Sequence, residues 1–302
     1  MGGTMKAVIW RSGDRLQSWL LLDGLYLLLL FALPIPQPPK LEMILPAHLA
    51  GIAVGTLVMY TGVGAGVVWF PFFTLVGFRP ADAAAFSLFN QMAGKGSGSF
   101  RYLREGLVDK AVARRCVPWA LVGVSAGYFA GYVLPRRFDR WLLLLFVVVV
   151  VYLLAAMIFR QSRPASPGED QPETARANRL LVAGSSFFTG ILSVGTSDWL
   201  IPHLVRRLRM PVSRAVATGI FVMFVTAAFF WLLIASGVLC GWRGWPANPP
   251  ILLGTVPGVM LGAQIGSRLV RFSAMKRAQP YVFMTVLALS ASHMIWEFFH
   301  LG

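Results

Sequence analysis

Lys95 stands in the stretch F-S-L-F-N-Q-M-A-G-K-G-S-G-S-F, with Asn90 and Gln91 about one helical turn before it and Ser97 and Ser99 just after. An ammonium with amide and hydroxyl groups around it, in an otherwise apolar segment, has the chemistry of an anion site. Two glycine-bearing stretches add to it. Thr61 to Pro71 reads T-G-V-G-A-G-V-V-W-F-P, and Leu192 to Pro202 reads L-S-V-G-T-S-D-W-L-I-P. Glycine weakens a helix interior by about 1 kcal/mol relative to alanine, so a simple lipid anchor has no use for Gly62, Gly64 and Gly66. A helix broken there would bare backbone N–H groups for an anion, and Gly195, Thr196 and Ser197 hold the corresponding place in the second stretch. Asp198 closes that second motif. It could pair with Lys95, relay a proton or bind a coupling cation. The alternative for Lys95 is an ammonium that snorkels to an interface or makes a structural ion pair.

These residues must be positioned by elements that suit a bilayer. The chain has 302 residues, 57% hydrophobic and 13% charged, against about a quarter charged in soluble domains. Residues Trp141 to Phe159 form an apolar run long enough to cross a membrane. The expected class is an all-α polytopic membrane protein. The net charge of +15 is carried largely by arginines in short loops, where it sets topology by the positive-inside rule rather than binding nucleic acid. Cys116 and Cys240 form no C-x-x-C pair, and His48, His203, His293 and His300 show no metal-ligand spacing. No metal or cofactor is expected, and the histidines are read as lying at interfaces or helix ends. Asp23, in an apolar stretch Trp19–Leu33, is read as lying near helix packing or an interface. That stretch follows Lys6, Arg11 and Arg15, and no small-x-small cleavage site succeeds it, so a retained first helix with a cytoplasmic N-terminus is expected.

The chain also repeats itself. Shifted by 131 residues, Gly64, Pro71, Pro80, Gly106, Pro118, Gly123, Gly127 and Gly131 fall on Gly195, Pro202, Pro211, Gly237, Pro249, Gly254, Gly258 and Gly262. The trio Gly123, Gly127 and Gly131 shares one helix face and is read as a packing seam. The apolar regions Ile44–Gly77 and Leu180–Val205 fit a helix, a turn and a second short helix, and paired broken helices in two halves point to a transporter's binding site. Three spans follow each break, at 82–101, 116–134 and 140–159 and again at 213–236, 250–268 and 278–298. If each broken segment enters and leaves on one side, each copy crosses an odd number of times and the copies are inverted. Loop charge agrees: 206–214 carries Arg206, Arg207, Arg209 and Arg214 where its mate 79–82 carries only Arg79. The loop with Arg136, Arg137 and Arg140 dissents. The expected organisation is 1–43, an N-terminal cytoplasmic stub and first helix; 44–159, the first repeat; 160–179, a polar cytoplasmic linker; and 180–302, the second repeat.

The paired Gly-rich breaks, each followed by proline and a small-residue helix (P-A-D-A-A-A-F-S and P-V-S-R-A-V-A-T), resemble the TauE/SafE family of sulfite exporters and toluene-sulfonate-uptake permeases. The resemblance covers about residues 44–298, and Asn90 and Gly106 stand where such proteins tend to have them. The chain departs from the usual triple-glycine run in having Gly64-Ala65-Gly66 and Gly195-Thr196-Ser197-Asp198. The resemblance implies a multi-pass permease of a prokaryotic inner membrane that carries a small sulfur-containing or organic anion, such as sulfite or a sulfonate. Lys95 points to an anion independently. A coupling proton or cation is an expected partner besides the lipid bilayer. A passive anion channel is the alternative; an embedded enzyme fits less well, since there is no H-E-x-x-H, G-x-S-x-G or aspartate pair at helical spacing. No G-x-x-x-x-G-K-[ST] loop is present for ATP.

Overall fold

The computed structural model describes residues 19–25, 41–61, 64–133, 138–161, 178–241, 251–269 and 273–300, and its regular elements are helical. Gly62, the N-terminal stub, the residues that follow the first helical stretch and most of the linker lie outside the described residues. A short stretch at 19–25, α1, precedes α2 (Leu41–Thr61) and α3 (Gly66–Leu75). Three long helices follow: α4 (Pro80–Arg104), α5 (Lys110–Val133) and α6 (Asp139–Gln161). The order then recurs as α7 (Arg179–Leu192), α8 (Thr196–Arg207), α9 (Val212–Leu239), α10 (Ile251–Leu269) and α11 (Ser273–His300). Among the described residues, the stretches Glu42–Tyr60, Asp139–Ala156 and Val212–Leu239 are long and apolar enough to cross a membrane.

Both expected breaks are present. Ser193 ends α7 in the left-handed region (φ 64°), and Gly195 follows at φ 144°, ψ −62°, a conformation that only glycine adopts readily. The helices after the breaks are short: α3 has 10 residues and α8 has 12, about 15 and 18 Å at 1.5 Å per residue. Neither could cross a hydrocarbon core of about 30 Å. They are instead held inside the protein. Trp69, Phe70 and Phe73 of α3 are wholly buried, and Phe70 stacks on Phe146 of α6 at 4.6 Å between ring centroids. Pro71 in α3 has no N–H to give the carbonyl of Val67. Ser290 of α11 supplies the missing donor, its hydroxyl bonding that oxygen at 2.7 Å. The proline thus becomes a docking point between helices.

Two close seams set the frame. Along the first, α2 and α10 run parallel: Ile44 and His48 lie against Gly254 and Gly258, while Ile52 and Thr56 lie against Gly262 and Gly266. A Cβ on Gly51 would stand 2.6 Å from the Thr255 carbonyl oxygen, so only glycine permits this approach. The second seam joins α5 to α7, also in parallel, with Gly123 against Ala183 and Gly127 against Phe187 and Gly190. The expected packing trio is therefore two-thirds right, because nothing lies within 4 Å of a Cβ built on Gly131. These seams join repeat mates in exchange, α2 with α10 and α7 with α5. The remaining large contacts match: α4 meets α10 as α9 meets α5, while α4 meets α9 and α6 meets α11.

The ends of the helices are also ordered by contacts. The residues just after α4 lie against the start of α9, where the Asp109 N–H donates to the Thr218 hydroxyl at 2.9 Å and Arg214 approaches Asp109. At the beginning of α4, Arg79 pairs with Asp139 at the start of α6, 3.1 Å apart. Of the histidines, His48 is at no helix end; it lies inside α2, 3% exposed, in the seam with α10. His203 and His293 are also internal to α8 and α11.

Candidate functional site

Gln91 and Lys95 sit four residues apart on α4, which places them on one face. That face meets the second break. The Lys95 ammonium donates to the Gln91 side-chain oxygen at 2.8 Å and to the Ser197 hydroxyl at 3.1 Å. The amide nitrogen of Gln91 donates in turn to the carbonyl and hydroxyl of Ser193, at 2.9 and 2.7 Å. The Ser193 hydroxyl continues to Ser87 at 2.7 Å. Gln91 is therefore spent on orienting Lys95 and pinning the left-handed turn, rather than presenting a free amide.

Asp198 joins the two breaks. It is the third residue of α8, and one carboxylate oxygen accepts the Gly195 N–H at 3.0 Å, the acidic half of a capping box. The other oxygen accepts the Gly64 N–H at 2.7 Å. Gly64 and Gly195 are repeat mates, so one carboxylate holds the equivalent amide of both copies. Both bonds are charge-assisted, and the acid lies at a helix N-terminus, where the dipole favours it. The structure thus places a side-chain anion where the glycines bare their amides. Among the described residues Asp198 makes no ion pair with Lys95 within 4 Å; Ser197, its chain neighbour, lies between them in the bonding.

Thr196 belongs to a separate hydroxyl cluster. Its N–H donates to the Thr189 hydroxyl at 2.8 Å, and its own hydroxyl meets those of Thr189 and Ser186 at 2.8 and 2.9 Å. This network satisfies the start of α8 and ties it to α7. Gly66, at the start of α3, has no room for a Cβ because the Ser193 carbonyl occupies it. The two breaks cross backbone against backbone there.

Lys95 is 1% exposed. A buried charge is normally paired with an opposite one, yet here the bonded partners are a neutral amide and a hydroxyl. An ammonium has three N–H donors, and two are in use. Asn90 accepts from the Thr255 hydroxyl at 3.1 Å, while its amide nitrogen has no partner. The indole N–H of Trp69 also has none. Lys95, Asn90, Gln91 and Trp69 all line one small cavity, with Gly55 and Gly94 on its wall. Its volume of about 10 Å³ is near the minimum for one water molecule. Trp69 was not among the residues singled out by sequence, nor were Ser193, Ser87 and Thr189. Trp69 and Ser193 stand inside the two quoted motifs, and the hydroxyls of Ser185, Ser186 and Thr189, crowded into an apolar segment, were a signal that could have been read.

Two discontinuous segments meeting inside a bundle of apolar helices, beside a buried cation with spare donors, define a membrane transporter of the broken-helix kind. The comparison with known families agrees. The chain belongs to the sulfite exporter TauE/SafE family, whose model matches residues 47–294. It is 25% identical over 232 residues to the probable membrane transporter protein YjnA of Bacillus subtilis, covering 73% of this chain and 89% of that protein. It is 24% identical over 212 residues to the probable membrane transporter protein MamO of Paramagnetospirillum magneticum, covering 58% of this chain but only 32% of that protein. No solved structure matches the chain. The family expectation is thus met.

Proposed function

We propose that this permease is a secondary transporter of a small sulfur-containing anion, such as sulfite, thiosulfate or a sulfonate, bound between the two repeats near mid-membrane. The observation that carries the reading is Lys95: a fully buried ammonium bonded only to neutral acceptors, in a cavity shared with the partnerless N–H donors of Asn90 and Trp69. An anion would satisfy all three at once. The cavity holds no more than a water-sized group, so the arrangement is a closed one and α2, α3, α4 and α10 part to admit substrate. Gln91 and Ser197 hold the ammonium in place. Gly64, Gly66, Gly195 and Thr196 shape the breaks, and Asp198 competes with a visiting anion for their amides.

The repeats are inverted in this reading. In support, α4 runs parallel to α10, with Asn90 beside Thr255, Ser97 beside Gln264 and Arg101 beside Ser267. The short turn after Arg104 would send α5, the mate of α10, back the other way. The basic loops 101–115 and 206–214 also lie together at one end, joined through Asp109. They face the cytoplasm of a prokaryotic cell in this scheme.

The test is current from proteoliposomes on a solid support, with jumps of sulfite, thiosulfate, taurine, sulfoacetate and chloride, backed by a labelled flux that also detects electroneutral exchange. A saturable signal for one sulfur anion, lost in Lys95→Ala, is expected. A signal that survives Lys95→Ala unchanged, or no flux of any sulfur anion, would overturn it.

A further inference from the structure

An ionisable pair inside the bundle lies away from the anion site. His48 on α2 approaches Asp23 of α1 through Nε2, 2.9 Å from Oδ2, and its Nδ1 faces the carbonyl of Gly254 on α10 at 3.2 Å. Both contacts are hydrogen bonds only when Nδ1 carries a hydrogen for the carbonyl and a proton also lies between Nε2 and the carboxylate, whichever atom owns it. Neutral imidazole beside ionised Asp23 has a single N–H, so it keeps one of the two bonds and turns a lone pair on the other oxygen. The side chains are 4% and 11% exposed, so little water is on hand to relieve that repulsion.

Among the described residues, no other charge is shown bonded to the pair. In the described residues α1 holds only Asp23, and α10 has no ionisable residue before Arg268 at its far end. On α2 the other ionisable groups are Glu42, which is exposed, and Tyr60 near the opposite end. Among the ionisable residues of α4 and α11, which touch α2 more lightly, are Lys95, His293 and Glu297, and none of these three hydrogen-bonds or ion-pairs with either member. The site also sits at a mechanical junction. His48 lies in the glycine seam that locks α2 to α10, and α2 leads without interruption to the first break.

We propose that Asp23 and His48 form a binding site for a single proton, and that its occupancy sets the pH dependence of transport by docking α1 onto the α2–α10 seam. Both His48 bonds are made when the proton is bound and one is lost when it leaves, so the docked form is favoured as pH falls and weakened as pH rises. The transport half of this statement rests on the carrier function proposed above; the proton site does not.

The experiment therefore has two readouts. Infrared difference spectra and thermal unfolding of the full-length protein in lipid nanodiscs would be followed against pH, for wild type and Asp23→Asn. In that variant an amide N–H donates to Nε2, which keeps the contact but removes the exchangeable proton. Wild type should show a carboxylic-acid or imidazolium band that titrates, with a thermal midpoint falling as pH rises; Asp23→Asn should fold and lose both. The same titration in both proteins would overturn the site. In proteoliposomes carrying sulfite, the wild-type rate should follow one proton, changing at most about tenfold per pH unit, and Asp23→Asn should flatten that profile. A pH profile unaltered by the substitution would overturn the link to transport. Absence of flux of every anion would refute the carrier reading and, with it, the transport link, while the spectra would still decide the proton site.

Discussion

At the scale of single residues, the two charges of the site divide the work differently from the simple picture of an ion pair. Lys95 is held by neutral groups and keeps donor capacity in reserve, whereas both oxygens of the Asp198 carboxylate are engaged, one by the Gly64 amide and one by the Gly195 amide. Asp198→Asn keeps one acceptor but turns an amide N–H towards a backbone donor. Hydrogen bonds to charged groups contribute about 1.5–3 kcal/mol, so that substitution should destabilise the junction by about 2 kcal/mol, read as a lower thermal midpoint in nanodiscs. Trp69→Phe keeps an aromatic ring at the position but removes the partnerless indole N–H along with the second ring that carries it. It should leave folding intact and raise the half-saturating anion concentration about 3- to 10-fold, the equivalent of one modest hydrogen bond. The sequence revealed the types of these residues because a lysine and an aspartate in apolar stretches stand out. It did not reveal that Asp198 bonds backbone in place of Lys95. That choice depends on two breaks meeting, with the bonded partners 134 residues apart in the chain. Nor did it reveal the Asp23–His48 pair, since spacing along the chain says nothing of a contact made across helices.

At the scale of elements, the helices were well marked in advance because glycine, proline and charge punctuate a hydrophobic chain clearly. The break at Gly64 and its mate at Gly195 were read correctly, and α4 and α9 begin at or beside their expected starts. Where the reading erred, the cause was local: α5 begins at Lys110, ahead of the expected 116, because basic residues were assigned to loop, although the dipole's penalty on a solvated cation in the first turn is small. The side-chain caps explain part of this, for the Asp109 carboxylate accepts the N–H groups of Ala111 and Val112. Two predictions belong here. Ser290→Ala would leave the Val67 carbonyl, already deprived by Pro71, without a donor inside the protein; a loss of about 1 kcal/mol is expected, measured by thermal unfolding, with α11 loosened from α3. Gly127→Leu should be far more damaging than Gly131→Leu. The first collides with the Phe187 carbonyl across the α5–α7 seam and the second meets nothing, a contrast that yield and monodispersity after detergent extraction would expose.

At the scale of the whole molecule, the exchanged seams mean that neither half is a separate body. Each repeat lends its first helix to the other, α2 to α10 and α7 to α5, so the core is assembled from both. The proposed inversion makes a prediction that needs no substrate. On a Cys240→Ser background, single cysteines at Arg104 and Arg207 should react with a membrane-impermeant maleimide from one side of the membrane, and one at Val76 from the other; all three are exposed. Labelling of all three from one face would refute the inversion.

Asp198 couples the two breaks because the same carboxylate is bound by an amide of each. In the transporter proposed above, separate acids would let either break rearrange while the other kept its bond. One shared carboxylate ties the two rearrangements together, so that neither amide is released without a change at the other. A second acid at Val67, the position that mates with Asp198, would untie them.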